Sequence, residues 1–389
     1  MQDFDFYNPT RIVFGKERLG ELDSLIPADA RVLVLFGGGS VKRTGTLDKV
    51  LAGLGERTVF QFGGIEPNPH FETLMKAVAL VREEKIDFLL AVGGGSVMDG
   101  TKFVAAAACF EGDEASLLRH GFASMPVERA LPLGTVVTLP ATGSEMNCGG
   151  VISHEGGKWP FTCPLLYPAF SFLDPTLTYS LPPRQVANGI VDAFVHVAEQ
   201  YVTYPANARV QDRSAEGILR TLIEIGPETL AKPEDYEARA NLVWAATSAL
   251  NGYIGAGVPQ DWSTHMIGHE LTALFGIDHG QSLAVVLPSL WHLRKAQKGE
   301  KLLQYAERVW DITDGTADER IEKAISRTRA FFESLGVKTR LSGYGVKAEQ
   351  IDDVVAALQA HGMVALSEHG DMTPDDCRQV LEDAFAEPK

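Results

Sequence analysis

The sequence predicts a two-part fold: an α/β half up to about residue 183, then an all-α half over 184–389. Two observations predict it. Before residue 183, short β-rich apolar runs alternate with helical segments, whereas after LPPRQ (181–185) the strand signals stop. Alternating β and α elements argue for a mostly parallel sheet covered on both faces. Length agrees, because 389 residues are too many for one ordinary core.

In chain order, the expected strands are RVLVLF (31–36), TVFQF (58–62), DFLLAV (87–92), GTVVTLP (134–140) and FSFLD (170–174). Each is a short apolar run of the kind a buried strand requires. FETLMKAVALVREEK (71–85) and MDGTKFVAAAACF (98–110) are the expected helices between them. The second half opens with VANGIVDAFVHVAEQYV (186–202). It continues through EARANLVWAATSALNG (237–252), KLLQYAERVWDI (301–312), ERIEKAISRTRAFFESLG (319–336) and EQIDDVVAALQAHG (349–362). The last helix starts near TPDDCRQVLEDAF, with Thr373 at the N-cap, Pro374 at the first helical position and acids in the first turn. No internal repeat or low-complexity segment interrupts this order.

Composition narrows the function. Hydrophobic residues make up 45% and charged residues 22%, as in a soluble globular protein. A formal charge of −16 argues against nucleic-acid or anionic-membrane partners, which need clustered Lys and Arg. It leaves a phosphorylated ligand open, since a nest of backbone N–H groups binds phosphate on an acidic protein. The start, MQDFDFYNPTRIVFG, lacks a basic region followed by an apolar core. No apolar run approaches the roughly 20 residues of a membrane span. Cys109, Cys148, Cys163 and Cys377 have no CxxC spacing, which suits a reducing, cytoplasmic setting.

Two expected strands run into the same tetrapeptide, in RVLVLFGGGSVKRTG and DFLLAVGGGSVMDGTK. Glycines at a strand end let the backbone turn sharply and approach a ligand. A helix starting directly afterwards offers free N–H groups and its positive dipole end to a phosphate. The second copy fits best, with a helix expected from Val97 onward, so Gly93, Gly94, Gly95 and Ser96 form the expected pyrophosphate cradle. The pattern is not G-x-G-x-x-G, and a GGGS loop also serves as a plain strand-to-helix turn. Two such loops in one parallel-sheet half favour a ligand, because α/β sheets bind ligands at the carboxyl ends of their strands. A Rossmann-like dinucleotide-binding domain is therefore expected. NAD sites present an acid to the adenosine ribose, whereas NADP sites replace it with cations. Residues 37–43 read GGGSVKR: Gly37, Gly38 and Gly39, a hydroxyl at Ser40, then Lys42 and Arg43. That set suits the 2′-phosphate of NADP(H), the alternative being solvated surface charges.

The second half holds polar residues in unexpected places. Asp192 and His196 sit four apart in an otherwise apolar helix, on one face. Buried charge is costly unless paired or bound to a metal. A second cluster, DWSTHMIGHELTALFGIDHG (261–280), has His265 and His269 again four apart, with His279 beyond an expected helix end at Gly276. Asp192–His196 has a plainer reading as an ion pair, and His265 and His269 as core histidines bonded to carbonyls. Their co-occurrence in segments too apolar for the surface favours one shared divalent metal, Zn²⁺ or Fe²⁺. Spacing leaves open which of His265, His269 and His279 are ligands. A metal beside a nicotinamide would act as a Lewis acid on a carbonyl oxygen, with an unligated histidine relaying the proton.

The motifs GGGSVMDGTK (93–102), TLPATGSEMN (138–147), DAFVH (192–196) and HMIGHELTALFGIDHG (265–280) resemble the iron-containing (group III) alcohol dehydrogenases. The resemblance is strongest to their NADPH-dependent, YqhD-type aldehyde reductase and butanol dehydrogenase branch, and it runs from NPTRIVFGK to LLQYAERVW and beyond. It implies an α/β NADP-binding domain over 1–183 and an all-helical metal-binding and catalytic domain over 184–389, an architecture shared with dehydroquinate synthase. The implied metal ligands are Asp192, His196, His265 and His279, which leaves His269 as a catalytic proton relay. Asp99, also assigned to catalysis, joins Gly93 to Ser96 on the pyrophosphate and nicotinamide side. Thr138, Thr142 and Ser144 are implied cofactor contacts, and Lys158 reaches the ribose. The resemblance further implies that the stretch SHEGGKWPF (153–161) is shortened relative to close relatives and that Cys148 and Phe161 shape the substrate pocket.

The expected function is thus metal-dependent, NADPH-dependent reduction of aldehydes to primary alcohols, reversible in principle, by a cytoplasmic homodimer. An NAD-dependent polyol or diol dehydrogenase would want an acid in the first loop. A metal-dependent cyclising lyase would want basic residues near 192–196 and 261–280, which are poor in Lys and Arg. A cofactor-binding sensor or scaffold is at odds with four filled ligand positions.

Overall fold

The strands of the first half form where side chains can be buried on both faces. In the computed structural model, which describes residues 1–121 and 123–385, β1 (Arg11–Phe14), β2 (Arg31–Phe36), β3 (Thr58–Phe62), β4 (Phe88–Gly93), β5 (Leu133–Val137) and β8 (Phe170–Leu173) form one sheet. The sheet is wholly parallel, in the order β3-β2-β4-β5-β8-β1. Its four inner strands are buried almost end to end, and the edge strands β1 and β3 only in part. Continuous apolar runs therefore mark the interior of the sheet. Successive residues enter opposite cores. Leu33, Leu35, Leu89 and Ala91 pack with α4 (Phe71–Glu83) and α5 (Gly95–Ala107), preceded in the chain by short turns α1 (Leu22–Leu25) and α2 (Ser40–Arg43) and by α3 (Thr46–Gly53). Val32, Val34, Leu90 and Val92 pack with Leu22 of α1 and with Leu47 and Val50 of α3.

The order of the sheet decides where a ligand fits. From β2 the chain crosses to β3 on one side, while β4 lies on the other, so the switch point falls between β2 and β4. In register, Phe36 lies opposite Val92 and Gly93 opposite Val137. Both GGGS loops thus leave the sheet side by side at its carboxyl edge. Helix α5 starts at Gly95, two residues before the expected Val97.

A hairpin went unread in the sequence. Strands β6 (Gly149–His154) and β7 (Gly157–Thr162) pair antiparallel around a two-residue turn, Glu155 and Gly156, both with positive φ (48° and 80°). That is the turn class that matches strand twist in tight hairpins. Gly149, Gly150, Gly157 and Pro160 dilute the β signal that would reveal the strands.

From Pro183 onward every regular element among the described residues is helical. The α-helices are α6 (Pro183–Tyr201), α7 (Arg209–Ala231), α8 (Tyr236–Ala249), α9 (Ser263–Phe275), α10 (His279–Leu293), α11 (Lys295–Trp310), α12 (Ala317–Ser334), α13 (Ile351–Ala360) and α14 (Pro374–Asp383), with short 3-10 turns at Leu341–Tyr344 and Ala348–Gln350. Thr373 caps α14 by accepting from the Asp376 N–H, with Pro374 at the first position. Two short segments group away from their neighbours in sequence. Met1–Phe6 belongs to the helical unit, with Gln2 N donating to Gly257 O (2.9 Å) and Phe6 edge-on to Tyr253. Glu234–Val243 belongs to the α/β unit, where Val243 is a core residue. Among the described residues no helix is long and apolar enough to cross a membrane, and the four cysteines are free thiols.

Candidate functional site

The α/β unit gathers its glycine loops at the carboxyl ends of β2, β4 and β5. Thr138, just past β5, donates its N–H to Gly93 O (2.9 Å). Gly95 opens α5 where no side chain fits, since a Cβ would lie 2.5 Å from Cγ2 of Thr142. The first N–H groups of a helix have no intrahelical acceptor, so this tight start could hold an anion. Thr142 Oγ1 accepts from Ser144 N (3.2 Å), and Ser144 Oγ donates to Asp99 Oδ1 (2.7 Å). Val151 N donates to Asp99 Oδ2 (3.0 Å). Both carboxylate oxygens of Asp99 are thereby engaged, tying α5 to the hairpin. Burial raises the Asp99 carboxyl above its usual range against the pull of Lys102.

Lys102, fully buried one turn further on, donates to Ser144 Oγ, Asn147 Oδ1 and Gly149 O, each at 2.9 Å. Burial lowers its pKa to about 8, although Asp99, Cys148 and Glu145 oppose the shift. Asn68, left-handed at φ 57°, donates its N–H to Ser96 Oγ (3.2 Å) and accepts from Lys158 Nζ (2.9 Å). Lys158 is therefore joined to the cradle through Asn68. At the first loop, Gly37 to Gly39 lead into α2, where Lys42 and Arg43 are exposed. The Lys42 ammonium lies 4.9 Å from the centroid of the Phe36 ring.

The helical unit builds the second cluster. Residues 189–201 of α6 are all buried, Asp192 and His196 among them. Gly280, in the first turn of α10, lets that turn close on α6, since a Cβ there would lie 2.4 Å from Asn188 O. Asp192 is one turn beyond Asn188, and the close approach brings His279 to it. Helix α9, ending at Gly276 in a left-handed C-cap, delivers His265.

Asp192 Oδ1 is faced by His196 Nδ1 at 3.5 Å, His265 Nε2 at 3.7 Å and His279 Nε2 at 3.5 Å. These separations are long for hydrogen bonds. They match the edge of a tetrahedron, about 3.4 Å, around an ion bound at about 2.1 Å. Asp192, His265 and His279 each offer one atom, all within 4.8 Å of one another. His196 touches the cluster with both nitrogens, Nδ1 toward Asp192 and Nε2 at 3.1 Å from His265 Nε2. Asp192 Oδ1 and His196 Nδ1 are buried without a hydrogen-bond partner among the described residues. The donor set therefore fits a divalent cation.

Electrostatics suit a cation at Asp192 and His196, whereas His265 must give up a proton to join them. Burial would raise the Asp192 carboxyl, but His196, His279 and His265 together hold it far below the usual range. Burial pushes His196 down to about 4, so it is a neutral imidazole at physiological pH. Burial also pushes His265 down, yet Glu199 and Asp192 outweigh it and raise the group to about 9. His269 is buried one turn after His265, its ring centroid 6.2 Å from that of His265 and 5.3 Å from that of His279.

Sequence reasoning missed Glu199, whose carboxylate meets His265 Nδ1. A signal existed: Glu199 lies three residues after His196 in the same apolar helix. Lys102 carried a similar one, as a charge in the apolar run after GGGS. Asn68 carried none, because only the turn at β3's far end brings it to Ser96.

Comparison with known proteins identifies the family. Residues 9–175 match the family model "Iron-containing alcohol dehydrogenase", and residues 186–385 match "Fe-containing alcohol dehydrogenase family, C-terminal". The chain is 58% identical to the NADPH-dependent aldehyde reductase YqhD of Escherichia coli, over 99% of this chain and 100% of that one. A crystal structure of the E. coli YqhD superimposes with a TM-score of 0.97 over 99% of each chain, at 57% identity. A probable NADH-dependent butanol dehydrogenase of Bacillus subtilis is 40% identical over 93% of this chain and 95% of its own. The chain belongs to the iron-containing alcohol dehydrogenase family, and it is an oxidoreductase with that family's two-part fold.

Proposed function

We propose that this chain reduces aldehydes to primary alcohols with NADPH, using one divalent ion, Zn²⁺ or Fe²⁺, held by Asp192, His196, His265 and His279. The observation that carries the reading is a single carboxylate oxygen, Asp192 Oδ1, with imidazole nitrogens from three helices 3.5–3.7 Å away. When bound, the ion supplies Lewis acidity toward a carbonyl oxygen and the dihydronicotinamide supplies the hydride. The remaining work falls to side chains. Asp192 provides the negative charge and the three imidazoles provide lone pairs, His265 by releasing its Nε2 proton as the ion binds. His269, buried beside the rings of His265 and His279, gives a ring-nitrogen proton to the product oxygen. Asp99 positions rather than transfers a proton, because its oxygens hold Ser144 and Val151. Gly93 to Ser96 cradle the pyrophosphate, Thr138, Thr142 and Ser144 line it, and Lys158 with Asn68 reaches the ribose.

The preference for NADPH rests on the first loop. Gly37 to Gly39 offer no carboxylate at the end of β2, and Ser40 with exposed Lys42 and Arg43 suits a 2′-phosphate. The E. coli relative's NADPH dependence supports this. Free cysteines support a cytoplasmic setting, and the family a homodimer.

The test is the initial rate of NADPH oxidation with butanal, before and after chelation and again with Zn²⁺ or Fe²⁺ restored. Loss and recovery of activity, with a lower KM for NADPH than for NADH, is expected. Activity indifferent to metal would overturn the ligand set, and the opposite KM order would overturn the reading of residues 37–43.

A further inference from the structure

Glu199 touches His265 on the side away from Asp192, and the way it is held has a chemical consequence. Its Oε1 accepts from two backbone donors of the first turn of α9, Thr264 N (2.7 Å) and His265 N (3.4 Å). Its Oε2 meets Nδ1 of the His265 ring. An ionised carboxylate only accepts hydrogen bonds. The contact at Nδ1 therefore keeps a proton on that nitrogen, so the lone pair the ring can give to an ion is the one on Nε2. Nε2 is the atom that faces Asp192 and shares the cluster with His279.

We propose that Glu199 is a positioning residue for metal capture, selecting the tautomer of His265 whose Nε2 is free to bind the ion. The inference rests on the metal reading above and adds a residue outside the ligand set. It makes an unusual prediction for the isosteric substitution. In Glu199→Gln, the amide oxygen must stay toward the Thr264 N–H, because two donors cannot face each other. The amide NH₂ then faces Nδ1 and donates to it, so the ring proton is driven onto Nε2, the ligating atom. Flipping the amide instead sets NH₂ against the Thr264 N–H. Glutamine should thus impair metal binding at least as much as alanine, which leaves the tautomer unbiased. A packing role predicts the reverse order, with glutamine mild and alanine severe.

The experiment is competition for Zn²⁺ between the metal-stripped protein and a chromophoric chelator. Wild type, E199Q, E199A and H265A are compared, with circular dichroism confirming that each is folded. Wild type should bind one equivalent, and H265A should lose that binding. E199Q should weaken it by about 10- to 100-fold, the usual range for a partner that orients a ligating histidine, and by no less than E199A. E199Q binding as tightly as wild type, or clearly tighter than E199A, would overturn the role of Glu199 while leaving the metal reading intact. Wild type that binds no stoichiometric Zn²⁺ would overturn the metal reading and this inference with it. Should E199A fail to fold, E199Q against wild type still decides.

Discussion

Replacing Lys102 with methionine tests the physics of the cofactor loop directly. The ammonium is fully buried, and only neutral oxygens accept its three hydrogen bonds. Burial therefore moves its pKa from 10.5 to about 8, in spite of nearby Asp99. At about 1.4 kcal/mol for each factor of ten, that distance is worth roughly 3 kcal/mol. The sign follows from proton counts. Between about pH 8 and 10.5 the folded protein has released this proton while the unfolded chain keeps it, so stability rises with pH. Below about pH 8 the full cost of burying the charge is present, and by 10.5 it is gone. Lys102→Met also strands three acceptors, but that penalty does not depend on pH. The informative quantity is therefore a slope: urea unfolding of wild type and K102M, without cofactor, at intervals from pH 7.5 to 10.5. The stability of wild type relative to K102M should climb by roughly 3 kcal/mol across the range. A flat difference would mean that Lys102 titrates normally, and a fall would mean that the three oxygens stabilise the charge more than burial opposes it.

Gly38→Asp should shift cofactor preference toward NADH. A Cβ at Gly38 meets nothing within 4 Å, and the new carboxylate would repel a 2′-phosphate, so the ratio of kcat/KM values should move by at least about tenfold; an unchanged ratio would place the adenosine ribose elsewhere. Asp192→Asn keeps the volume but removes the charge that three histidines face, so metal content and aldehyde reduction should fall together in a folded protein, as read by elemental analysis and assay. Lys298→Met strands two buried carboxylates, Asp261 at 2.9 Å and Glu368 at 2.7 Å. That change should cost about 3–5 kcal/mol by urea unfolding, and a loss under about 1 kcal/mol would mean water reaches the pair.

Much of the site was legible because burial and polarity conflict locally. An aspartate and a histidine inside an apolar helix cannot be solvated, so each demands a partner, and i, i+4 spacing says which pairs share a face. Two glycine loops after continuous apolar strands pointed to a cradle in the same way. The hairpin escaped because its glycines and proline weaken the alternation that reveals a strand. The engagement of both Asp99 oxygens escaped because Val151, its second donor, arrives on that hairpin.

The sequence by itself determined the division into a parallel α/β part and a helical part, the two glycine loops at strand ends, the charged residues in apolar helices and the family. These follow from periodicity and composition, which act between residues close in the chain. The tertiary structure alone decided that β2 and β4 lie side by side with their loops in register. It alone chose one oxygen of Asp192 as the centre of the histidines, and set Glu199 behind His265. Those outcomes depend on contacts between distant segments, such as the approach of α10 to α6 that Gly280 permits. Such contacts are selected by the packing of the whole core, and no local window of sequence contains them.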